Sequence, residues 1–135
     1  DTIERIWHKR PSYELMFAET YLYDSNQLYQ VEIESESSRL QYHLYYDNEN
    51  RISRIVLMMQ YEMHEPRFIK SWKFFYHKKH ILVTYNTRYY DHISKYKIFL
   101  SGGESFTELI LNQHDLFMVD STPFENNFEF WLPDN

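Results

Sequence analysis

Three groups of residues have the types and spacing to do chemistry. Glu32, Glu34 and Glu36 alternate with Val31, Ile33 and Ser35, which sets three carboxylates on one face of an extended segment. Close carboxylates raise one another's pKa and can serve acid/base or metal chemistry, but charges at this spacing also make an ordinary solvated face. His77 and His80 flank Lys78-Lys79; two imidazoles three apart could ligate a metal, yet the ammoniums between them repel a cation and no third ligand is near in sequence. No metal or cofactor is therefore expected. The third group is the most informative. Residues 66–97 hold eight Lys or Arg against one acid, Asp91, whereas residues 1–65 hold six bases and twelve acids and residues 98–135 hold seven acids and no base. The chain, at formal charge −6, thus carries a basic island of +7 between acidic flanks, and such segregation points to an anionic partner.

Other chemistries lack their residues. There is no cysteine, so neither disulfides nor thiol catalysis is possible. The only two glycines, Gly102 and Gly103, exclude a P-loop or a dinucleotide fingerprint, and no nucleophile elbow is present. Net negative charge opposes nucleic acid. No run reaches the roughly 18 apolar residues of a membrane helix. The 135 residues suit one domain, 1–135, and 19% aromatic content provides core material. Beginning at Asp1, the chain reads as a soluble protein, cytoplasmic or exported after processing.

The element that must position the basic island is the β-strand. Leu40, Tyr42, Leu44 and Tyr46 share one face of a two-residue period, and Asp47-Asn48-Glu49-Asn50 forms a turn before Arg51 to Met63. Strands are expected near 13–23, 27–36, 39–47, 51–62, 67–77, 80–88, 92–100, 105–112, 115–121 and 126–132, with residues 12–23 also open to a helix. The fold class is all-β: an antiparallel up-and-down meander of about ten strands, forming a barrel or strongly curved sheet. Thr2 caps a short N-terminal helix with Ile3, Ile6 and Trp7 at helical spacing before Pro11. With so few glycines, loops longer than tight two-residue turns are expected.

The hairpin grammar repeats. Tyr23-Asp24 leads to Leu28, Tyr46-Asp47 to Arg51-Ile52, and Tyr76-His77 to Ile81, with a looser copy from Ile98 through Gly102-Gly103 to Phe106. Tyr46-Asp47-Asn48-Glu49-Asn50-Arg51-Ile52 resembles the YD repeat of Rhs-type proteins, which reads Tyr-Asp, two residues, Gly, Arg and an aliphatic; Asn50 stands in the Gly position. That resemblance implies a hairpin scaffold and transfers no catalytic residue. In length, strand number and Trp7 near the start, the chain is also similar to the lipocalin and fatty-acid-binding families, which implies a calycin-like barrel.

Alternation places Arg67, Lys73, Arg88 and Lys95 on an outer surface, with Lys70 among the aromatics, including Trp72, on the inner one. Aromatic and arginine side chains dominate protein interfaces, so Trp72, Arg88, Tyr89 and Tyr90 are the contacts expected for a protein partner with an acidic surface. The first functional reading is accordingly a non-enzymatic binding module, of the immunity or surface-accessory type. The other is a barrel in which Lys70 meets a small apolar or anionic ligand, with lyase- or isomerase-type chemistry as its extension.

Overall fold

The computed structural model describes residues 2–9, 16–35, 37–88, 93–99, 105–112 and 131–133. Seven strands form one antiparallel meander: β2 (Met16–Asp24), β3 (Gln27–Glu34), β4 (Ser38–Tyr46), β5 (Ile52–Tyr61), β6 (Arg67–Tyr76), β7 (Ile81–Thr87) and β8 (Ser94–Ile98). β1 (Thr2–Lys9) adds to the free edge of β2, and β9 (Trp131–Pro133) adds to β8 after a helix, α1 (Phe106–Asn112). All-β antiparallel character is as expected, and residues 16–24 are strand and not helix. Among the described residues β1 and β9 remain edges, so the sheet is open and not a barrel.

Two segments depart from expectation. The N-terminal helix is absent, because residues 2–9 pair in register with β2 from Thr2↔Tyr23 to Lys9↔Met16. A helix that short is marginal alone, whereas an unpaired edge offers a hydrogen-bond partner to each exposed group. Conversely, the expected strand 105–112 is α1. Ser105 caps it, its carbonyl accepting from Leu109 N (3.0 Å) and its Oγ from Glu108 N (3.3 Å). Phe106 and Ile110 insert into the core, with Phe106 and Phe74 ring centroids 4.9 Å apart. The loose fourth hairpin copy therefore ends in a helix. The expected strand 115–121 and Gly102-Gly103 lie outside the described residues, as does all but the end of 126–132.

One sheet face carries the core, which runs continuously from Tyr21 and Val31 through Tyr42, Ile55 and Trp72 to Val83 and Ile98. Cross-strand pairing explains its continuity, since Val31↔Tyr42↔Leu57 and Ile55↔Trp72↔Tyr85 place apolar side chains opposite one another along whole rows.

The hairpin tips at the α1 end show how the repeated motif works. Ser25 and Asn26 form a two-residue turn with φ of 51° and 65°, the signature of type I′, tighter than the long loops expected. In the next hairpin Asp47 Oδ1 accepts from Glu49 N (2.8 Å) and Arg51 N (3.0 Å), while Arg51 Nε donates to Asp47 Oδ2 (2.9 Å). Asn50, at φ 60°, occupies a left-handed position. Burial raises the Asp47 pKa, but the two amides and the Arg51 guanidinium outweigh it and hold the carboxyl below its ordinary value.

The tyrosines of successive copies then tie the hairpins together. Tyr46, the last residue of β4, donates to Leu28 O on β3 (2.6 Å), and Tyr76, the last of β6, donates to Ile52 O on β5 (2.5 Å). Ile52 N in turn donates to Thr107 Oγ1 of α1 (2.9 Å), so the helix is pinned to the same peptide group region as the tyrosine. Burial pushes both phenols up to about 12; for Tyr46 the Tyr23 phenol adds to this, and for Tyr76 the Thr107 hydrogen bond partly opposes it.

Candidate functional site

The face opposite the core is where the charges gather. Arg54 lies directly across from Lys73, Lys73 from Thr84, and Thr84 from Lys95, with Tyr45 opposite Arg54 at the other end of the row. These positions alternate with the buried Ile55, Trp72, Val83 and Tyr96, which sends their side chains outward. A second row, Phe75↔Leu82↔Lys97, runs beside it. Arg54, Lys73 and Lys95 are exposed, and the aromatic rings of Tyr45 and Phe75 are 49% and 46% exposed. With strands about 4.8 Å apart, Arg54 and Lys73 are neighbours and Lys95 stands roughly 10 Å farther along.

Among the described residues no ion pair neutralises this row. Among the described residues, ion pairs join Arg39 to Glu32 (2.5 Å) and Glu34 (3.7 Å), and Arg51 to Asp47 (2.9 Å) and Glu49 (3.0 Å). None includes Arg54, Lys73 or Lys95. The acidic strand β3 is instead answered by Arg39 on β4, so Glu32 and Glu34 belong to a satisfied surface pair; Glu36 lies outside the described residues. No cluster of metal-ligating side chains occurs among the described residues. His77 and His80 stack on one another at 4.8 Å at the β6–β7 turn. His43, half-buried on the outer face, has its pKa lowered by burial, which the nearby Glu32 charge partly offsets.

The eight residues singled out in the sequence separate into distinct places. Lys73 and Lys95 share the outer row. Lys70 is on the core face as expected, 6% exposed, its Nζ 4.5 Å from the Tyr85 ring centroid and 5.2 Å from that of Trp72. A desolvated ammonium gains about 2 kcal/mol from such faces. Trp72 has no exposed surface and cannot be the surface contact it was expected to be. Arg67 also departs from the outer set. A register shift between Leu57 and Met58 pairs Phe68 with Met58 but Lys70 with Leu57; the extra residue reverses the facing of the strand start, turning Phe68 outward and Arg67 to the core side. Arg88 lies at that same end, its amide donating to Ile69 O (2.9 Å). Tyr89 and Tyr90 lie outside the described residues.

Sequence reasoning missed Arg54, Tyr45 and Phe75. Arg54 falls outside the basic run because strand pairing, and not proximity along the chain, brings it beside Lys73. The signal was its outward phase relative to Ile55 in the hairpin after Asp47. Comparison of the chain with protein-family models, curated proteins and solved structures gave no match.

Proposed function

We propose that the chain is a non-enzymatic interaction module whose outer face binds an acidic protein surface, as an immunity-type or surface-accessory protein would. One observation carries this reading: Arg54, Lys73 and Lys95 form an exposed cross-strand row flanked by the half-exposed rings of Tyr45 and Phe75, with no carboxylate paired to any of the three cations among the described residues. Arginine and aromatic side chains are the groups that contribute most at protein interfaces, and complementary charge accelerates encounter and selects partners. The repeated tyrosine-anchored hairpins support a YD-like scaffold that presents its outer face.

The test is affinity capture from the protein's own source by wild type and by a variant carrying Arg54→Glu, Lys73→Glu and Lys95→Glu. A Lys78→Glu, Lys79→Glu variant controls for charge reversal outside the row. Specific binding of one partner by wild type and the control, lost in the triple variant while its circular dichroism is unchanged, supports the reading. Equal capture by all three would remove it.

A further inference from the structure

The outer face is not uniform along its length. Where it meets the tips of the β4–β5 and β6–β7 hairpins, a cleft of about 530 Å³ opens, lined by Asp47, Arg51, Ser53, Arg54, Lys73 and the segment 74–77. That volume lies within the ~300–1,000 Å³ typical of ligand pockets.

Its walls divide by chemistry. Arg51 contributes little free charge, because Asp47 and Glu49 both pair with it and its guanidinium carbon sits 4.4 Å from the Tyr76 ring centroid. It is a fixed wall. Arg54 and Lys73 differ: they are direct cross-strand neighbours, exposed, with no carboxylate paired to either among the described residues. The remaining side is apolar, formed by Phe75, 46% exposed, next to Tyr76. The Ser53 hydroxyl is turned to Tyr45 O (3.2 Å).

We propose that this cleft anchors an acidic–aromatic segment of the protein partner. One Asp or Glu carboxylate bridges the Arg54 guanidinium and the Lys73 ammonium, while an adjacent aromatic side chain lies against Phe75. Side chains rooted on paired strand positions about 5 Å apart can bring a guanidinium and an ammonium to the two oxygens of one carboxylate. The Asp47 carboxylate on the far wall, with Glu49 paired to the same Arg51, disfavours a dianion such as a phosphoryl group more than it disfavours a single negative charge. This inference rests on the outer face being the interface, and it assigns the partner's contacting chemistry and the place where it seats.

The test is fluorescence polarisation with a fluorescein-labelled hexapeptide of alternating glutamate and phenylalanine, against versions with glutamine for glutamate or alanine for phenylalanine. Wild type should bind the parent probe and lose about tenfold in affinity with either control, as charge-assisted hydrogen bonds and aromatic contacts of this kind contribute. Arg54→Gln and Lys73→Gln should each weaken the parent probe about tenfold, and Phe75→Ala should weaken the parent but not the alanine version. Arg67→Gln, at the other end of β6 and outside the cleft, should leave binding unchanged. All four side chains are exposed, so thermal midpoints should stay within about 2 °C of wild type, and that measurement accompanies each titration. Equal binding of parent and alanine probes, or no binding of the parent, overturns the cleft assignment. So does sensitivity to Arg67→Gln in place of Arg54→Gln and Lys73→Gln, while partner capture by the whole face would then still stand.

Discussion

Replacing Tyr76 by Phe tests whether the tyrosine anchors hold the hairpins together. The substitution keeps the ring and removes one hydroxyl, which donates to Ile52 O at 2.5 Å. The second contact, to Thr107 Oγ1 at 3.5 Å, is long and adds little to stability. A net hydrogen bond contributes about 0.5–1.5 kcal/mol, and leaving a buried acceptor unpaired costs about 1–3 kcal/mol. Ile52 has no exposed surface, so some of that penalty applies, and a loss of roughly 1.5–2 kcal/mol follows. An unfolding entropy of about 2.1 cal/mol/K per residue, over this chain, is about 0.28 kcal/mol/K, so the thermal midpoint should fall by about 5–7 °C. Differential scanning calorimetry measures it. Tyr45→Phe, on the exposed outer face, is the control and should shift the midpoint by less than about 2 °C. A Tyr76→Phe midpoint within about 1 °C of wild type would refute the anchoring role.

Two other measurements follow from the same hairpin tips. Tyr46 and Tyr76 have pKa values raised to about 12 in the fold, against an ordinary value of about 10 in the unfolded chain. The fold favours the neutral phenol, so their contribution is complete below pH 10 and is lost as pH climbs from 10 to 12. Urea unfolding at pH 9 and pH 11.5 should show a clear loss at the higher pH, smaller in Tyr46→Phe, Tyr76→Phe; equal losses in the two proteins would contradict it. At the β2–β3 turn, Ser25→Asn with Asn26→Gly supplies the pair that type I′ geometry favours. It should stabilise by about 1 kcal/mol and raise the midpoint by about 3–4 °C, whereas a lower midpoint would argue against the turn assignment.

The meander was legible because a half-buried strand writes its facing into every second residue. Leu40, Tyr42, Leu44 and Tyr46 share one face of a strand, and the strands from β3 to β8 follow from such runs, whereas residues 12–23 also suit a helix by type and need the pairing of β2 with β3 to settle them. The register shift at Leu57/Met58 left no such trace, since inserting one residue changes facing without changing composition; hence Arg67 was placed on the wrong side. The α1 segment misled because Phe106, Thr107 and Ile110 suit a strand by type. Its better signals were the Ser105–Glu108 capping pair and the spacing of Phe106 and Ile110. The first eight residues erred in the opposite sense, because an edge seeking a partner overrides weak helical propensity. Of the site, Lys73 and Lys95 were readable from charge and phase, and Lys70 from phase alone. Arg54 required the pairing of β5 with β6, which follows from register.

Lysine footprinting of the protein with and without its captured partner tests the binding face most directly. Amine-reactive labelling followed by mass spectrometry should show Lys73 and Lys95 protected in the complex, while Lys78 and Lys79 at the β6–β7 turn react as in the free protein. If Lys73 and Lys95 label equally in both states, the outer row is not the interface.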